Sequence, residues 1–468
     1  MMNPLPQHLC SFLENLHSGI RRLLVGYSGG LDSHVLLHGL ARQRPRWPDR
    51  TVEAFYVDHG LQSASAAWGE HCARVCRESN IPFRILRIDA RPASGESPEA
   101  AARRARYAAL AAELGPDAAL LVAHHRDDQA ETLLLQLLRG AGPHGLAAMP
   151  AAARLGRGWL LRPLLEVDRT ELLAYAREHD LRWIDDASNA DLSFDRNYLR
   201  HRIMPLLRER WPAANRTLAR SAQLCAEVAA WLDAEAAADL AGAATERADC
   251  LSIPALRALD ERRQRNLLRF WLRRSNLPIP DARQLQQILH DALTAAADRN
   301  PCIRWPGVEV RRYRDALYAM PPLKPHDASR AYLWRPTAAG WPPLELPGVG
   351  WLRMEETVGA GLRAEALAGD GLLVRFRQGG ERFRPVGRAH GQELKKLLQE
   401  AGVPPWERER LPLLYRLPTP THPDRGGGSD PLLAVVGLGI AADHAAKPGQ
   451  FGMHPVLQSP SAAGSGIV

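Results

Sequence analysis

Cysteine is scarce in this sequence and shows no ordered spacing. The 468 residues include six cysteines, and none of them forms a Cys-x-x-Cys pair. This distribution excludes a disulfide framework and a paired-cysteine zinc site. Cys72 and Cys76 lie four residues apart on a predicted helix, where two small apolar side chains are most simply explained as packing residues.

Long apolar runs and lysine are also lacking. The N-terminus has no apolar signal segment and no stretch approaches transmembrane length, so we expect a cytoplasmic protein without a membrane partner. Only four residues are lysine, and arginine supplies nearly all of the positive charge. The net charge of +8 and the isoelectric point of about 9.4 favour a polyanionic partner.

The most informative stretch is Leu23–Leu37, in which an apolar run meets two glycines and continues as an apolar-periodic segment. This order predicts a strand, a tight turn and a helix start. Gly29 and Gly30 let a ligand approach the backbone, and the helix start presents free N–H groups and a positive dipole end. The turn has no lysine, which excludes a Walker A loop. Its Ser-Gly-Gly-x-Asp-Ser pattern resembles the PP-loop of ATP pyrophosphatases, which cleave ATP between the α- and β-phosphates.

The first 125 residues alternate between strand and helix patterns. Strands are predicted at 22–27, 52–57, 83–88 and 119–123, with helices at 33–42, 65–79, 98–114 and 128–138. This alternation indicates a doubly wound parallel sheet. Polar residues follow three of the strands, at 28–33, 58–60 and 124–131, and should meet at the carboxyl edge of the sheet.

The densest polar cluster is Ala123–Thr132, where His124, Asp127, Asp128 and Glu131 start an apolar helix. Three interpretations stay open: a di-metal hydrolase site, an acidic helix start, or magnesium and substrate ligands opposite the glycine-rich turn. Magnesium prefers one or two carboxylates with phosphate oxygens, which favours the third.

Two further segments carry clustered arginines. Arg103 and Arg106 share one face of the helix predicted at 98–114. Downstream of Asp186, residues Arg196, Asn197 and Arg200 share another helix face, which suits a phosphate-bearing partner but also a salt-bridged structural loop.

The domain organisation is predicted from changes in composition. We expect a catalytic domain at 1–212, a helical middle domain at 213–320, a small α+β C-terminal domain at 345–455 and a disordered tail at 456–468. Residues 375–416 contain ten Lys or Arg and five acidic residues. With Phe376, Phe383 and Trp406 they are interpreted as a nucleic-acid surface, a solvated face being the alternative.

The ordered set of motifs resembles the family of bacterial tRNA(Ile)-lysidine synthetases. The resemblance rests on the following segments: Ser28–Ser33, Val57–Leu61, Glu99 to Tyr107, Ala123–Thr132, Gly140–Leu146, Arg162–Leu165, Asp186 to Arg200, Leu394–Leu398 and Pro404–Trp406. It spans the chain from the glycine-rich turn to the C-terminal domain.

The resemblance implies a reaction with ATP and Mg²⁺ as cofactors. ATP adenylates the C2 oxygen of the wobble cytidine in tRNA(Ile) with a CAU anticodon, and free lysine then displaces AMP to form lysidine. It implies that Ser28, Gly29, Gly30, Leu31, Asp32 and Ser33 bind ATP, with Asp32 also a metal ligand.

The implied catalytic residues are Asp32, Arg103, His124, Asp127 and Asp128, and the implied RNA-binding residues are Arg196, Asn197 and Arg200. The roles of the three aspartates stay undivided. An alternative is another PP-loop tRNA-modifying enzyme, such as a tRNA 2-thiolation enzyme, although the missing Cys-x-x-Cys pair argues against it. The sequence does not fix the oligomeric state, and a homodimer is one option.

Overall fold

The computed structural model describes residues 5–16, 18–58, 65–89, 91, 98–247, 249–296, 299–417 and 431–458. The chain divides into two compact units, Met1–Asp239 and Leu240–Ala463. Each unit has its own hydrophobic clusters.

The first unit is built on a six-stranded sheet. Its strands are β1 (Arg22–Gly26), β2 (Thr51–Asp58), β3 (Phe83–Arg87), β4 (Ala118–Leu121), β5 (Ala152–Leu155) and β6 (Gly158–Leu161). The order is β3-β2-β1-β4-β6-β5, and all neighbours are parallel except the β5–β6 pair. The predicted α/β fold is therefore confirmed, and the four predicted strands match β1 to β4.

Helices connect these strands and cover the sheet. They are α1 (Leu5–Glu14), α2 (Leu31–Gln43), α3 (Ser65–Glu78), α4 (Pro98–Ala112), α5 (Arg126–Leu138), α6 (Pro143–Leu146), α7 (Arg169–Glu178), α8 (Asp195–Tyr198) and α9 (Met204–Arg210). Residues Leu199–Ile203 form π-helical turns between α8 and α9. Cys72 and Cys76 are buried in the core cluster, which confirms their packing role.

The strand order creates a crevice between the loops that follow β1 and β4. The chain leaves β1 towards β2 and β3, then crosses back through α4 to place β4 on the other side of β1. Because the two connections diverge at this switch point, the carboxyl ends of β1 and β4 frame a ligand crevice. Asp58 ends β2 at the same edge, whereas residues 59–61 of that motif lie outside the described residues.

The middle region is helical, as expected, but also contains a sheet that the sequence did not indicate. Its helices are α10 (Ala214–Ala243), which spans the boundary between the units, α11 (Ile253–Ala258), α12 (Glu261–Arg274) and α13 (Ala282–Gln287), the last continuing as π-helical turns through Ala292. The strands β7 (Cys250–Ser252), β8 (Cys302–Trp305), β9 (Val308–Tyr313) and β10 (Ala316–Met320) form an antiparallel sheet in the order β7-β10-β9-β8.

The C-terminal region is α+β. Its strands are β11 (Tyr332–Trp334), β12 (Leu344–Leu346), β13 (Gly350–Val358), β14 (Leu362–Arg363), β15 (Leu372–Arg375), β16 (Arg382–Phe383), β17 (Gln392–Glu393), β18 (Leu413–Arg416), β19 (Leu432–Val435), β20 (Gly439–Ile440) and β21 (Phe451–Gln458). Its helices are α14 (Ala364–Leu367), α15 (Leu394–Glu400) and α16 (Pro405–Arg408).

The predicted disordered tail begins too early. Residues 456–458 end β21 and pair with Arg353, Leu352 and Trp351 of β13, because this edge of the sheet supplies backbone partners for them. The rest of the tail lies outside the described residues. In the described part of the chain, no helix is long and apolar enough to cross a membrane.

The nucleic-acid surface interpreted at residues 375–416 stays a prediction, but two of its three aromatic residues, Phe376 and Phe383, do not lie on an exposed face. Phe376 and Phe383 are buried, with 1% and 3% of their surface exposed. Trp406 is half-buried, and its ring centroid lies 5.4 Å from that of Tyr318 and 6.3 Å from that of Tyr313. These rings fill hydrophobic clusters within the second unit, because burying an aromatic ring is favourable wherever the fold offers an apolar surface.

Candidate active site

The first part of the site is the loop between β1 and α2, residues 28–33, which we call the glycine loop. The Ser33 hydroxyl donates to the Gly30 carbonyl at 3.0 Å and accepts from the Ser28 backbone N–H at 3.2 Å. The two serine hydroxyl oxygens are 3.1 Å apart. Hydrogen bonds of the serine side chains therefore connect the two ends of the glycine loop.

Gly29 is the residue whose conformation the loop requires. Its φ of +81° lies in the left-handed region, which side chains disfavour. A Cβ atom there would lie 2.7 Å from Cδ1 of Ile184 and 3.0 Å from Sγ of Cys72. The Gly29 carbonyl also accepts a hydrogen bond of 2.9 Å from the Ile184 N–H. The side chains of Ile184 and Cys72 therefore both pack against the loop at Gly29.

The start of α2 supplies the groups that can face an anion. Gly30 is the N-cap in extended conformation, and Leu31, Asp32 and Ser33 form the first turn. The N–H groups of a first turn have no partner within the helix, and the helix dipole adds positive potential there. Leu31 is only 6% exposed, so it can offer its backbone N–H but not its side chain.

The second part of the site follows β4, where His125 is the N-cap of α5. The His125 ring is 1% exposed, and its Nε2 lies 3.5 Å from Oδ2 of Asp32 and 3.4 Å from Oδ2 of Asp128. The His125 backbone N–H donates to the same Asp128 oxygen at 3.0 Å. One imidazole therefore joins the carboxylates of the two loops that frame the crevice.

The charges of His125, Asp32 and Asp128 stabilise one another. Burial alone would lower the pKa of His125, but the carboxylates of Asp128, Asp32 and Asp127 outweigh it and raise that pKa. Burial likewise works to raise the pKa of Asp128, yet His125, His124 and Arg200 hold it below its usual value. His125 is therefore favoured as a cation between anionic carboxylates.

Asp127 lies on the other edge of the His125 ring. Its Oδ1 is 3.9 Å from Nδ1 of His125 and accepts from the Arg169 N–H at 3.4 Å. Its Oδ2 is 3.3 Å from Nη1 of Arg208. Asp127 therefore ties α5 to α7 and α9, whereas Asp32 and Asp128 meet at Nε2.

Arg200 is directed into the site. Its Nε donates to Oε1 of Glu131 at 2.7 Å, and its Nη2 donates to Oε2 of Glu131 at 2.9 Å and to Oδ1 of Asp128 at 2.8 Å. Glu131 is 1% exposed, and its burial raises its pKa despite this guanidinium. Arg196 donates to Oγ1 of Thr132 at 2.7 Å on the same helix. Arg196 and Arg200, two of the residues predicted to bind RNA, thus both contact α5.

His124 lies beside a group of arginines. Nε of Arg162 donates to Nδ1 of His124 at 3.2 Å. Burial, only partly opposed by Asp128, lowers the pKa of His124 to about 3. The ring is therefore neutral at physiological pH, with Nδ1 as acceptor and the proton on Nε2. The Arg103 and Arg106 guanidinium carbons lie 5.1 and 5.6 Å from the Tyr107 ring centroid.

Sequence reasoning missed the central residue, His125. The sequence pattern favours its neighbour His124, although the position of His125 directly before an acidic first turn is typical of a helix N-cap. Glu131 and Arg162 belong to the sequence motifs but are not among the predicted site residues. Nothing in the sequence alone shows that Arg200 would reach Glu131, because 69 residues separate them.

The carboxylates present suit a magnesium ion that also takes phosphate oxygens. Within the described ranges, no group of three or more His, Cys, Asp or Glu side chains could hold a metal by itself. Oδ1 of Asp32, however, is buried without a hydrogen-bond partner beside the helix start. A lone carboxylate oxygen next to an anion site is the kind of ligand that magnesium uses in nucleotide sites.

Comparisons with known proteins cover all three regions. Residues 2–207 match the PP-loop domain, residues 251–318 the TilS substrate binding domain and residues 372–419 the TilS substrate C-terminal domain. The tRNA(Ile)-lysidine synthase of Coxiella burnetii is 41% identical over 456 residues, 97% of each chain. The chain belongs to the tRNA(Ile)-lysidine synthase family.

Other relatives agree with this assignment. The tRNA(Ile)-lysidine synthase of Methylococcus capsulatus is 46% identical over 87% of this chain and 91% of its own length. A solved structure of a U34-tRNA thiolase from Methanococcus maripaludis with its [4Fe-4S] cluster covers 48% of this chain and 78% of its own, with a TM-score of 0.41 and 18% identity. That likeness is too low to carry an argument. The resemblance stated from the motifs is confirmed.

Proposed function

We propose that this chain joins free lysine to C2 of the wobble cytidine of tRNA(Ile) with a CAU anticodon, at the expense of ATP. The observation that carries the proposal is the meeting of Asp32 and Asp128 on His125, beside the free N–H groups of the α2 start. This arrangement combines an anion site with carboxylates in one crevice. Membership of the tRNA(Ile)-lysidine synthase family identifies the reaction.

ATP binding follows from the glycine loop. The first-turn N–H groups and the hydroxyls of Ser28 and Ser33 would hold the phosphate oxygens, since N–H groups at a helix start stabilise anions. Asp32, through its unpartnered Oδ1, would hold Mg²⁺. A magnesium ion held there would supply charge neutralisation for the pyrophosphate leaving group.

The first chemical step activates the base. The C2 oxygen of cytidine attacks the α-phosphorus of ATP, and the bond from that phosphorus to the β-phosphate oxygen breaks to release pyrophosphate. Arg103 would stabilise the added charge on the phosphates or the base. His124, neutral with its proton on Nε2, would donate a hydrogen bond to the base rather than remove a proton.

The second step transfers lysine. The ε-amino group attacks C2, the bond between C2 and the adenylate oxygen breaks, and AMP leaves with its electron pair. The ε-ammonium group must lose a proton before it attacks. Asp128, whose pKa is held below its usual value, would orient the ammonium group by charge while solvent takes the proton. Asp32 is assigned to the metal, and Asp127 faces Arg208 and the start of α7.

Recognition of the tRNA is assigned to the second unit as well as to the crevice. Helix α12 carries six arginines and one glutamate, and Arg262, Arg263 and Arg274 are exposed. Such a surface suits RNA backbone contacts. Lys395 and Lys396 of α15 are also exposed. The proposal places the reaction in the cytoplasm.

A 2-thiolation enzyme is the rival that the sequence left open. Such chemistry needs a reactive thiolate near the nucleotide, and Cys72 lies beneath Gly29. Cys72 and Cys76 are both 0% exposed, and burial raises the pKa of each thiol to about 12. Both thiols therefore stay protonated and packed, which favours lysine transfer.

The test is incubation with ATP, Mg²⁺, labelled lysine and tRNA(Ile) bearing CAU, with the same tRNA bearing UAU as the control. We expect label only in the CAU transcript. Asp32→Asn and Arg103→Ala should each lower turnover in protein that still shows a cooperative thermal unfolding transition. Absence of label with folded wild-type protein would refute the proposal.

A further inference from the structure

The Asp186–Arg200 segment contains a turn that the proposed chemistry does not use. Residues 186–191, which we call the clamp turn, begin with Asp186, whose Oδ1 accepts from the Ser188 N–H at 2.9 Å. Nδ2 of Asn197 donates to the Ser188 carbonyl at 3.0 Å and to the Asp191 carbonyl at 2.9 Å. One side-chain amide thus holds both sides of the turn.

A second contact fixes the same turn. Nε2 of His201 lies 2.8 Å from the Asn189 carbonyl oxygen. Asn197 and His201 are four residues apart along the helical turns of 195–203, so their side chains share one face. The clamp turn is therefore fastened to that helical segment by two side chains from one face.

The clamp turn connects the two halves of the crevice. Before it in the chain, the Ile184 N–H donates to the Gly29 carbonyl at 2.9 Å, and the Ile184 side chain covers Gly29. After it, Arg200 holds Glu131 and Asp128. The Ile184 contact is made to the glycine loop and the Arg200 contacts are made to α5, and Asn197 fixes the segment between Ile184 and Arg200.

Asn197 is poorly suited to the RNA contact that its sequence position suggested. The Nδ2 amide is directed at two backbone carbonyls within the chain. An amide group has two N–H donors, so the two bonds use its donor capacity. Exchanging them for RNA contacts would leave two carbonyls unpaired.

We propose that Asn197 is a positioning residue for the adenylation step. It holds the clamp turn so that Ile184 supports the glycine loop and Arg200 orients Asp128. This inference rests on the proposed function, because adenylation is the step that needs both loops in register. Small displacements of reacting groups reduce rates steeply.

The test compares Asn197→Ala with Asn15→Ala. Asn15 is a matched control because its Nδ2 also donates to a backbone carbonyl, that of Ser11 at 2.8 Å, in an exposed position at the end of α1. Pyrophosphate release at saturating ATP and tRNA is expected to fall by about 10- to 100-fold for Asn197→Ala only. The dissociation constant for tRNA should be unchanged.

A further variant separates positioning from general destabilisation. Asn197→Asp keeps the shape of the side chain but places oxygen against the two carbonyls, so it should reproduce the loss. Unfolding temperatures are measured for every variant. If Asn197 contacted RNA, tRNA affinity would fall and the rate at saturation would be preserved; that result, or a wild-type rate in both variants, overturns the proposal.

Failure of the proposed function would be recognised separately. The affinity for Mg²⁺-ATP alone is measured with a fluorescent ATP analogue, with no tRNA or lysine present. We expect weaker binding in Asn197→Ala and wild-type binding in Asn15→Ala. If Asn197→Ala weakens Mg²⁺-ATP binding but the wild type transfers no lysine, the proposed function is refuted and the positioning role of Asn197 is supported. If the wild type transfers lysine but Asn197→Ala binds Mg²⁺-ATP normally, the proposed support of the glycine loop by Asn197 is refuted.

Discussion

Gly29→Ala is the substitution whose cost the structure defines most clearly. An alanine at φ +81° adopts a left-handed backbone, which costs about 1–2 kcal/mol. Its Cβ would also lie 2.7 Å from Cδ1 of Ile184 and 3.0 Å from Sγ of Cys72. Both atoms end side chains that can shift, and a displaced rotamer costs about 0.5–1.5 kcal/mol. With one side chain displaced, the total is about 1.5–3.5 kcal/mol.

The free-energy cost of Gly29→Ala lowers either the stability of the protein or its affinity for ATP, so both quantities must be measured. If the loop keeps its conformation, the free energy of unfolding falls by about 1.5–3.5 kcal/mol, measured by urea denaturation. If the loop relaxes instead, ATP affinity falls by about 10- to 300-fold, since 1.4 kcal/mol is tenfold. Both quantities are therefore measured on the same preparations.

Gly30→Ala is the matched control for stability. Gly30 has an extended backbone with φ −74° and ψ 164°, and the nearest atom to an added Cβ is Oγ of Ser28 at 3.5 Å. Its free energy of unfolding should change by less than about 1 kcal/mol. Gly29→Ala should also lower the free energy of unfolding by less when it is added to Ile184→Ala than when it is added to the wild type, because the smaller side chain removes part of the clash. Equal stability and equal ATP affinity of Gly29→Ala and wild type would refute the reasoning.

Two other predictions concern Trp406 and His125. Trp406→Ala should lower the free energy of unfolding by about 1–3 kcal/mol, because it removes a half-buried ring from Tyr318 and Tyr313; unchanged stability in calorimetry together with weaker tRNA binding would contradict this packing role and assign Trp406 to the nucleic-acid surface. Because the carboxylates raise the pKa of His125, its stabilising charge is complete below about pH 6.5 and is lost as the pH rises through the raised pKa. The stability difference between wild type and His125→Gln, from urea denaturation at several pH values, should narrow with rising pH; a difference that widens would contradict this.

The sheet of the first unit was predictable because its strands are short aliphatic runs with helices between them. Leu120 and Leu121 of β4 are fully buried, as both faces of a parallel sheet require. Once the strands are placed, the switch-point rule brings the loops after β1 and β4 together. The glycine loop and the 124–131 cluster were therefore found from sequence.

The sheet of the middle region was not predictable from its pattern. In β9, Val308 and Val310 are buried, and the next residue on the same face is Arg312. The charge of an arginine predicts an exposed position, but the structure buries Arg312 as well. Its Nη1 donates to the carbonyls of Ala292 at 2.9 Å and Ala295 at 2.6 Å, so the charge is buried with partners. Those partners lie on a separate element, and local periodicity cannot reveal them.

The roles of the arginines were equally hidden. Arg196 and Arg200 share a helix face, which local reasoning assigns either to a phosphate-bearing partner or to a salt-bridged structural loop. The structure turns both towards α5, where the buried Glu131 supplies the opposite charge. A buried carboxylate needs a paired cation, and this requirement is visible only after the fold brings the two helices together.

The central claim is that the wobble cytidine gains lysine at C2. The most direct measurement is mass spectrometry of nucleosides from tRNA(Ile) bearing CAU after incubation with the wild-type protein, ATP, Mg²⁺ and lysine. We expect cytidine to be replaced by a nucleoside with the mass of cytidine plus lysine minus water, and we expect isotopically labelled lysine to shift this mass. Unmodified cytidine, or a nucleoside in which sulfur replaces the C2 oxygen, would contradict it.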